Sequence, residues 1–239
     1  MKRRKGAGCG DQLPRFGEGK EVNHMLRNTN LIGNGTPLLI GGFVLAGGQS
    51  RWMGCDKALL RLNGKPLALR AAERLGGLVS EVTLLGPPDR YRDMGLLVLP
   101  DEYLFRGPLA GLCTGLRRSE YGWNLFVACD MPYAERSVFN NLIRRAVAGR
   151  AEAVVPFIKG RWQPLCAAYH RSCLPKMEAA LWNSTGAVCS IFSEINVEPM
   201  EESELGGAAF CDRVFRNMNS AADWHEIQRE MGQSNAISG

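Results

Sequence analysis

The chain has 239 residues, a hydrophobic content of 45% and a net charge of +5. The excess charge lies near the start: residues 1–39 hold seven Lys and Arg against three Asp and Glu, and the remainder hold 22 against 21. The nearly neutral charge of residues 40–239 argues against a nucleic-acid-binding surface. The sequence has no apolar run of 18 residues, which argues against a membrane span. The cysteines are scattered and form no CxxC pair, which argues against a disulfide framework. We therefore expect a soluble, cytoplasmic protein.

Residues 1–37 are rich in glycine, asparagine and charge and show little hydrophobic periodicity. This composition predicts a poorly ordered basic extension. Residues 38–239 are predicted to form a single domain, because their length allows one buried core and no linker interrupts the pattern.

From residue 38 onward, short apolar runs alternate with amphipathic segments. Strands are predicted over residues 39–46, 81–85, 95–100 and 124–130, and helices over residues 66–78, 108–119 and 135–149. Such alternation is typical of an α/β domain with a mostly parallel, twisted sheet and helices on both faces.

The second half of the sequence is less regular. Residues 151–158 and 163–170 are predicted strands, and residues 173–182 are a predicted helix. Residues 214–219 are interpreted as a further strand that leads into a closing helix over residues 220–231. Ser220 and Asp223 have the spacing of a helix capping box.

Polar or glycine residues follow several of the predicted strands. Gly47 and Gly48 follow the first strand, Asp101 follows residues 95–100, and Asp130 ends residues 124–130. Ligands of open α/β sheets bind beyond the carboxyl ends of the strands, so these residues are expected to face one crevice.

The glycine-rich segment VLAGGQSRWMGCDKALL (44–60) matches neither the Walker A pattern nor the dinucleotide fingerprint GxGxxG. Glycines allow backbone amides to approach phosphate oxygens closely. Arg51 is able to bind those oxygens with its forked guanidinium group, and Lys57 to place a charge on a developing pyrophosphate. The alternative is a tight turn with two surface cations, but the fixed order of Arg51, Gly54 and Lys57 favours phosphate binding.

Asp130 and Asp101 differ in how strongly the sequence around them indicates a ligand site. Asp130 precedes Met131 and Pro132, which makes an immediate helix start awkward, and a carboxylate there is well placed to hold Mg²⁺ together with substrate phosphates. Asp101 is equally compatible with a plain turn and with a ligand site.

LAGGQSRWMGCDK (45–57) closely resembles the signature of the molybdenum cofactor guanylyltransferases, members of the nucleotidyltransferase superfamily. GPLAG (107–111), CDMP (129–132), GRWQPL (160–165) and the late Asn217, Asn219 and Asp223 resemble further motifs of that family in the same order. The first motif is shared with many nucleotidyltransferases, whereas its combination with GPLAG and CDMP is more specific. The resemblance implies a Rossmann-like nucleotidyltransferase fold.

The resemblance also implies a reaction, the transfer of GMP from GTP to the phosphate of molybdopterin, loaded with molybdenum or not, with release of pyrophosphate. Matched by motif, Leu45, Ala46, Gly47 and Gly48 contact the nucleotide. Arg51, Lys57 and Asp130 are the implied catalytic residues; Lys57 and Asp101 bind GTP, and Asp130 binds both GTP and Mg²⁺. Molybdenum insertion proteins and apo-molybdoenzymes are the implied protein partners.

Two features depart from the family. Leu85-Gly86-Pro87 stands where relatives often have an asparagine, and residues 1–37 have no counterpart, so that Met25 is a second candidate for the start. The departure at Leu85 leaves a cytidylyltransferase using CTP as an alternative. A sugar-phosphate nucleotidyltransferase and a non-catalytic adaptor that delivers the cofactor are further alternatives, and the presence of Lys57 and Asp130 weighs against the adaptor.

Overall fold

The computed structural model describes residues 30–31, 37–46, 51–52, 55–103, 106–183 and 187–237. Its strands are β1 (Asn30–Leu31), β2 (Pro37–Leu38), β3 (Ile40–Leu45), β4 (Arg51–Trp52), β5 (Cys55–Asp56), β6 (Arg61–Leu62), β7 (Lys65–Pro66), β8 (Glu81–Leu85), β9 (Leu97–Leu99), β10 (Trp123–Ala128), β11 (Ala153–Ile158), β12 (Arg161–Trp162), β13 (Cys166–His170) and β14 (Val197–Glu201). Its helices are α1 (Leu67–Leu75), α2 (Pro88–Tyr91), α3 (Pro108–Arg118), α4 (Arg136–Ala148), α5 (Leu174–Asn183), α6 (Glu202–Leu205), α7 (Ala208–Val214) and α8 (Ala221–Ile237). Turns of 3-10 helix cover Lys57–Leu59, Arg92–Met94, Arg171–Cys173 and Val188–Ile191.

In the part of the chain that the structure describes, eight strands form one sheet in the order β12-β11-β13-β10-β3-β8-β9, with β14 also paired to β11. Strands β10, β3, β8 and β9 are parallel to one another, and β14 is parallel to β11. Strand β13 is antiparallel to both β10 and β11. The predicted mostly parallel sheet is therefore confirmed, with β13 and the short β12 as its antiparallel members.

The register aligns the ends of the central strands. Leu45 lies opposite both Ala128 and Leu85, and Leu85 lies opposite Leu99. The residues that follow β3, β8, β9 and β10 consequently lie along one edge of the sheet, which we call the carboxyl edge.

Helices cover both faces of the sheet, as predicted. One buried cluster includes Ala68 and Leu75 of α1 with Phe139 and Leu142 of α4, and the other includes Leu109 and Leu112 of α3 with Met177 and Leu181 of α5. In α1 the buried residues are Leu67, Ala68, Ala71, Ala72 and Leu75. This spacing gives one apolar stripe, which drives the helix onto the sheet.

The segment GPLAG begins α3, and its glycine and proline residues suit their positions for different structural reasons. Gly107 has φ 69° and ψ −165°, a conformation that favours glycine, and Pro108 occupies the first helical turn. A Cβ at Gly111 would lie 2.9 Å from Cδ2 of Leu45. The second glycine therefore allows α3 to pack closely against the end of β3.

The predicted strand over residues 214–219 is wrong. Helix α7 extends to Val214, and the backbone that follows bonds to a loop and to a helix cap instead of a neighbouring strand. The amide of Met218 donates to the carbonyl of Asp130 over 2.9 Å, and the amide of Asn219 donates to Asp223 Oδ2 over 2.9 Å. The capping box is confirmed, because Ser220 Oγ accepts from the amide of Asp223 and Asp223 Oδ2 accepts from the amide of Ser220.

Strand β13 begins later than predicted, because residues 163–166 form a turn in which the amide of Cys166 donates to the carbonyl of Gln163. Strand β14 was not predicted; its sequence VEPME buries only Met200 and contains Pro199. The single domain over residues 38–239 and the extension over residues 1–37 stay predictions, although β1 pairs with β2 across the boundary between them. Among the described helices, none combines the length and apolarity needed to span a membrane.

Candidate active site

The glycine-rich segment begins at the carboxyl edge. Leu45 ends β3, and Ala46 is buried, with its amide donating to the carbonyl of Leu85 over 2.9 Å. Gly47 and Gly48 lie outside the described residues. The backbone of Arg51 pairs with that of Asp56 in the β4–β5 hairpin. The predicted phosphate contacts of Gly47, Gly48 and Arg51 therefore stay predictions.

Lys57 starts a 3-10 turn directly after this hairpin. Asp56 caps the turn, because its Oδ1 accepts from the amide of Ala58 over 3.0 Å. The Lys57 ammonium group donates to the carbonyl oxygen of Met218 over 2.7 Å and lies 3.6 Å from Asp130 Oδ2. Only 14% of the Lys57 side chain is exposed, so its charge acts in a partly desolvated environment.

Asp130 follows β10 and has the position that the sequence predicts. The neighbouring amide of Cys129 donates to the carbonyl of Leu45 over 3.1 Å, which ties this loop to the end of β3. Burial raises the pKa of Asp130 above its ordinary value, and the positive charge of Lys57 opposes that rise. A carboxylate in such a place is stabilised by a nearby cation.

Asp101 is held by its own loop. Its Oδ1 accepts from the amide of Tyr103 and from the hydroxyl of Thr114, each over 3.0 Å. Burial raises the pKa of Asp101 as well, while these two hydrogen bonds lower it. Asp101 follows β9, which is separated from β10 by β3 and β8. Three strand spacings of about 4.8 Å place it roughly 14 Å across the sheet from Asp130.

Sequence reasoning gave no role to Met218, Asp56 or Tyr91. Met218 contributes through its backbone carbonyl, for which a side-chain pattern gives no signal beyond its place between Asn217 and Asn219. Asp56 is part of the signature, but its capping bond appears only with the turn. Tyr91 is one of several buried tyrosines, and nothing in the sequence distinguishes it from a core residue.

Among the described residues, no group of three or more His, Cys, Asp and Glu side chains could hold a metal ion. A separate cleft of about 230 Å³ opens near Gly41, Glu81 and Tyr121, at the start of β3 and β8 and away from Lys57. The polar groups at the carboxyl edge therefore remain the candidate active site.

Comparisons with known proteins show the family of the chain. Residues 42–196 match the family model of the MobA-like NTP transferase domain. A probable molybdenum cofactor guanylyltransferase of Bacillus licheniformis is 34% identical over 188 residues, which are 77% of this chain and 94% of the relative. Another from a Geobacillus species is 31% identical over 192 residues, 78% of this chain and 96% of the relative.

The fold has close counterparts among solved structures. The crystal structure of molybdopterin-guanine dinucleotide biosynthesis protein A from Archaeoglobus fulgidus superimposes with a TM-score of 0.70. The two sequences are 21% identical, and the match covers 81% of this chain and 99% of the other. The chain belongs to the molybdenum cofactor guanylyltransferase family of MobA-like nucleotidyltransferases.

Proposed function

We propose that this protein transfers GMP from GTP to the phosphate of molybdopterin and releases pyrophosphate. The observation that carries the proposal is the pairing of Lys57 with Asp130 at the carboxyl edge, 3.6 Å apart, in a family member whose relatives are guanylyltransferases. These residues come from the first and third family motifs, and they meet where α/β sheets bind their ligands.

Charge neutralisation and positioning carry the reaction. The molybdopterin phosphate already bears the negative charge of a nucleophile, so its attack on the α-phosphorus of GTP requires little help from a base. Leu45, Ala46, Gly47 and Gly48 contact the nucleotide, with the backbone amides of the two glycines approaching its phosphates, and Arg51 adds a forked cationic contact. Each of these contacts orients the nucleotide for in-line displacement.

Lys57 supplies charge to the departing pyrophosphate. Its ammonium group rests on the carbonyl of Met218 and is only partly exposed, which holds it in place and strengthens its electrostatic interaction. The α-phosphorus–oxygen bond to pyrophosphate breaks as the bond to the acceptor phosphate forms. No covalent enzyme intermediate is involved.

Asp130 would hold Mg²⁺ in this reaction. The Asp130 carboxylate suits this ion, because a partly buried carboxylate with a raised pKa is stabilised by a cation. Mg²⁺ commonly binds one or two carboxylates, and substrate phosphates complete its coordination shell. When bound, the ion supplies stabilisation of negative charge on the phosphates.

Asp101 and Gly86 lie toward the nucleoside end. Asp101 is roughly 14 Å from Asp130 along the carboxyl edge, a separation estimated from strand spacing that suits a nucleotide lying across β3 and β8. The amide of Gly86 donates to the carbonyl of Leu99 over 2.9 Å, so a contact of Gly86 with the base would come from its carbonyl oxygen. A carbonyl acceptor suits the ring N–H and amino group of guanine.

The second candidate is the same transfer with CTP, and the observation that favours it is Leu85-Gly86-Pro87 in place of the family asparagine. Binding to molybdenum insertion proteins and apo-molybdoenzymes, and a cytoplasmic location, stay predictions.

The nucleotide is identified by steady-state rates of pyrophosphate release with GTP, CTP and ATP, each with Mg²⁺ and molybdopterin. We expect GTP to be preferred, because unpaired acceptors in a guanine site cost about 1–3 kcal/mol per group. Equal or faster rates with CTP would assign the protein to the cytidylyl branch. Binding of nucleotide without any transfer would favour the adaptor.

A further inference from the structure

Tyr91 is the last residue of α2, and it is 1% exposed. Its hydroxyl group lies 2.8 Å from Asp56 Oδ2 and 3.1 Å from the carbonyl oxygen of Ala46. Ala46 follows β3, whereas Asp56 precedes the turn that bears Lys57. One buried hydroxyl group therefore connects the central sheet to that turn.

Asp56 links the Tyr91 hydroxyl group to the turn that bears Lys57. Its Oδ1 caps the 3-10 turn through the amide of Ala58, and its Oδ2 faces Tyr91 and also Arg90, whose Nη1 is 3.3 Å away. The hydrogen bonds to Oδ2 thus hold the carboxylate in the orientation in which Oδ1 caps the turn. Without that restraint, rotation of the Asp56 carboxylate would loosen the start of the turn.

The hydroxyl group of Tyr91 has one proton and faces two acceptors. Burial, together with the hydrogen bond to Asp56, raises the pKa of Tyr91 far above that of a free phenol, so the proton is retained. A carboxylate accepts more strongly than a carbonyl, which makes Asp56 the preferred partner. Packing alone does not require this buried hydroxyl group, because phenylalanine would fill nearly the same volume without it.

We propose that Tyr91 is a positioning residue, which acts through Asp56 to hold the turn of Lys57 at a fixed place relative to β3 and Asp130. The inference rests on the proposed function only in assigning Lys57 to the pyrophosphate. Tyr91 itself touches no substrate in this proposal.

The test is a double-mutant cycle between Tyr91→Phe and Lys57→Ala, measured on the rate of GMP transfer at saturating GTP. Tyr91→Phe keeps the ring and is expected to slow transfer about tenfold, in the range of one lost charge-assisted hydrogen bond. If Tyr91 acts through Lys57, the double variant is no slower than Lys57→Ala alone. Losses that multiply, or a Tyr91→Phe rate within twofold of wild type, would overturn the proposal.

A matched control is Tyr169→Phe. Tyr169 is also buried, and its hydroxyl group donates to a backbone carbonyl, that of Pro164, over 2.8 Å. This variant is expected to lower thermal stability without slowing transfer. If Tyr91→Phe fails to fold, Asp56→Asn takes its place in the cycle, because it replaces the charged acceptor of this hydrogen bond with a neutral amide.

The same cycle on the affinity for magnesium pyrophosphate separates this inference from the proposed function, because that ligand requires neither guanine nor molybdopterin. Loss of affinity in Tyr91→Phe that disappears in the Lys57→Ala background supports the positioning role even if wild type transfers no GMP. Unchanged affinity in Tyr91→Phe contradicts the positioning role, whatever the substrate of the enzyme.

Discussion

At the scale of single residues, the candidate site brings together two charges that are partly shielded from bulk water. Lys57 contacts both the Met218 carbonyl and the Asp130 carboxylate, so its ammonium group has a polar partner before any substrate binds. Burial raises the pKa of Asp130, which means that ionisation of this carboxyl disfavours the folded protein even beside Lys57. A bound cation and nucleotide would relieve that cost.

This electrostatic cost predicts a pH-dependent difference between wild type and Asp130→Asn. The pKa of Asp130 is higher in the folded protein than in the unfolded chain. Below the unfolded pKa the carboxyl group is protonated in both states and does not lower the free energy of unfolding. As the pH rises through the folded pKa, ionisation of the carboxyl group lowers that free energy. We expect the ligand-free variant to be the more stable protein near about pH 7, with the advantage shrinking toward about pH 4. Urea unfolding of both proteins across this range measures the difference, and a difference that does not vary with pH would contradict the raised pKa.

At the scale of elements, the central helices and parallel strands were predictable from local patterns. The apolar stripe of α1, the Gly-Pro start of α3 and the apolar run over residues 125–128 of β10 each indicate their own element. Strand β14 and the segment over residues 215–219 were not predictable, because β14 buries only Met200 and the segment is fixed by distant loop contacts.

Gly115 tests how closely α3 approaches the sheet. A Cβ at this position would lie 2.6 Å from Cε1 of Phe126, whose ring is fully buried. We expect Gly115→Ala to lower the free energy of unfolding by about 1–3 kcal/mol through overpacking. Gly232→Ala is the matched control, because Gly232 lies in α8 and an added methyl group there would have nothing within 4 Å.

In the control, alanine should stabilise α8 by up to about 1 kcal/mol through helix propensity. Urea unfolding at 25 °C compares the two variants with wild type. A Gly115→Ala protein as stable as Gly232→Ala would show that α3 does not pack against Phe126 at this distance.

At the scale of the whole molecule, a late segment of the chain contributes the carbonyl group of Met218 to the candidate site. Met218, Trp224 and Ile227 form a buried cluster with Leu62, Leu67 and Tyr133, which joins α8 to β6, to the start of α1 and to the loop that follows Asp130. The family-model match ends at residue 196, well before Met218, Trp224 and Ile227. The late motif was recognisable in the sequence, but its backbone contact with Lys57 depends on tertiary packing and could not be predicted.

Trp224 is the largest member of this cluster and is 8% exposed. We expect Trp224→Ala to lower the free energy of unfolding by about 3 kcal/mol or more and to slow transfer, because the support of Met218 is weakened. Trp182→Ala is the matched control: Trp182 is 62% exposed and packs on Arg106, so its removal should cost less than about 1 kcal/mol. Equal losses in both variants, by thermal and urea unfolding, would contradict a structural role for the α8 cluster.

The central claim is that Asp130 supplies the carboxylate for metal-assisted transfer of GMP. The direct test is the initial rate of dinucleotide formation from GTP, Mg²⁺ and molybdopterin by wild type, Asp130→Asn and the exposed-site control Asp89→Asn. We expect Asp130→Asn to fall by at least about 100-fold, or about 2.7 kcal/mol, and Asp89→Asn to retain the wild-type rate. An Asp130→Asn enzyme within a few-fold of wild type at ordinary Mg²⁺ concentrations would contradict the metal assignment and direct the same test to Asp101.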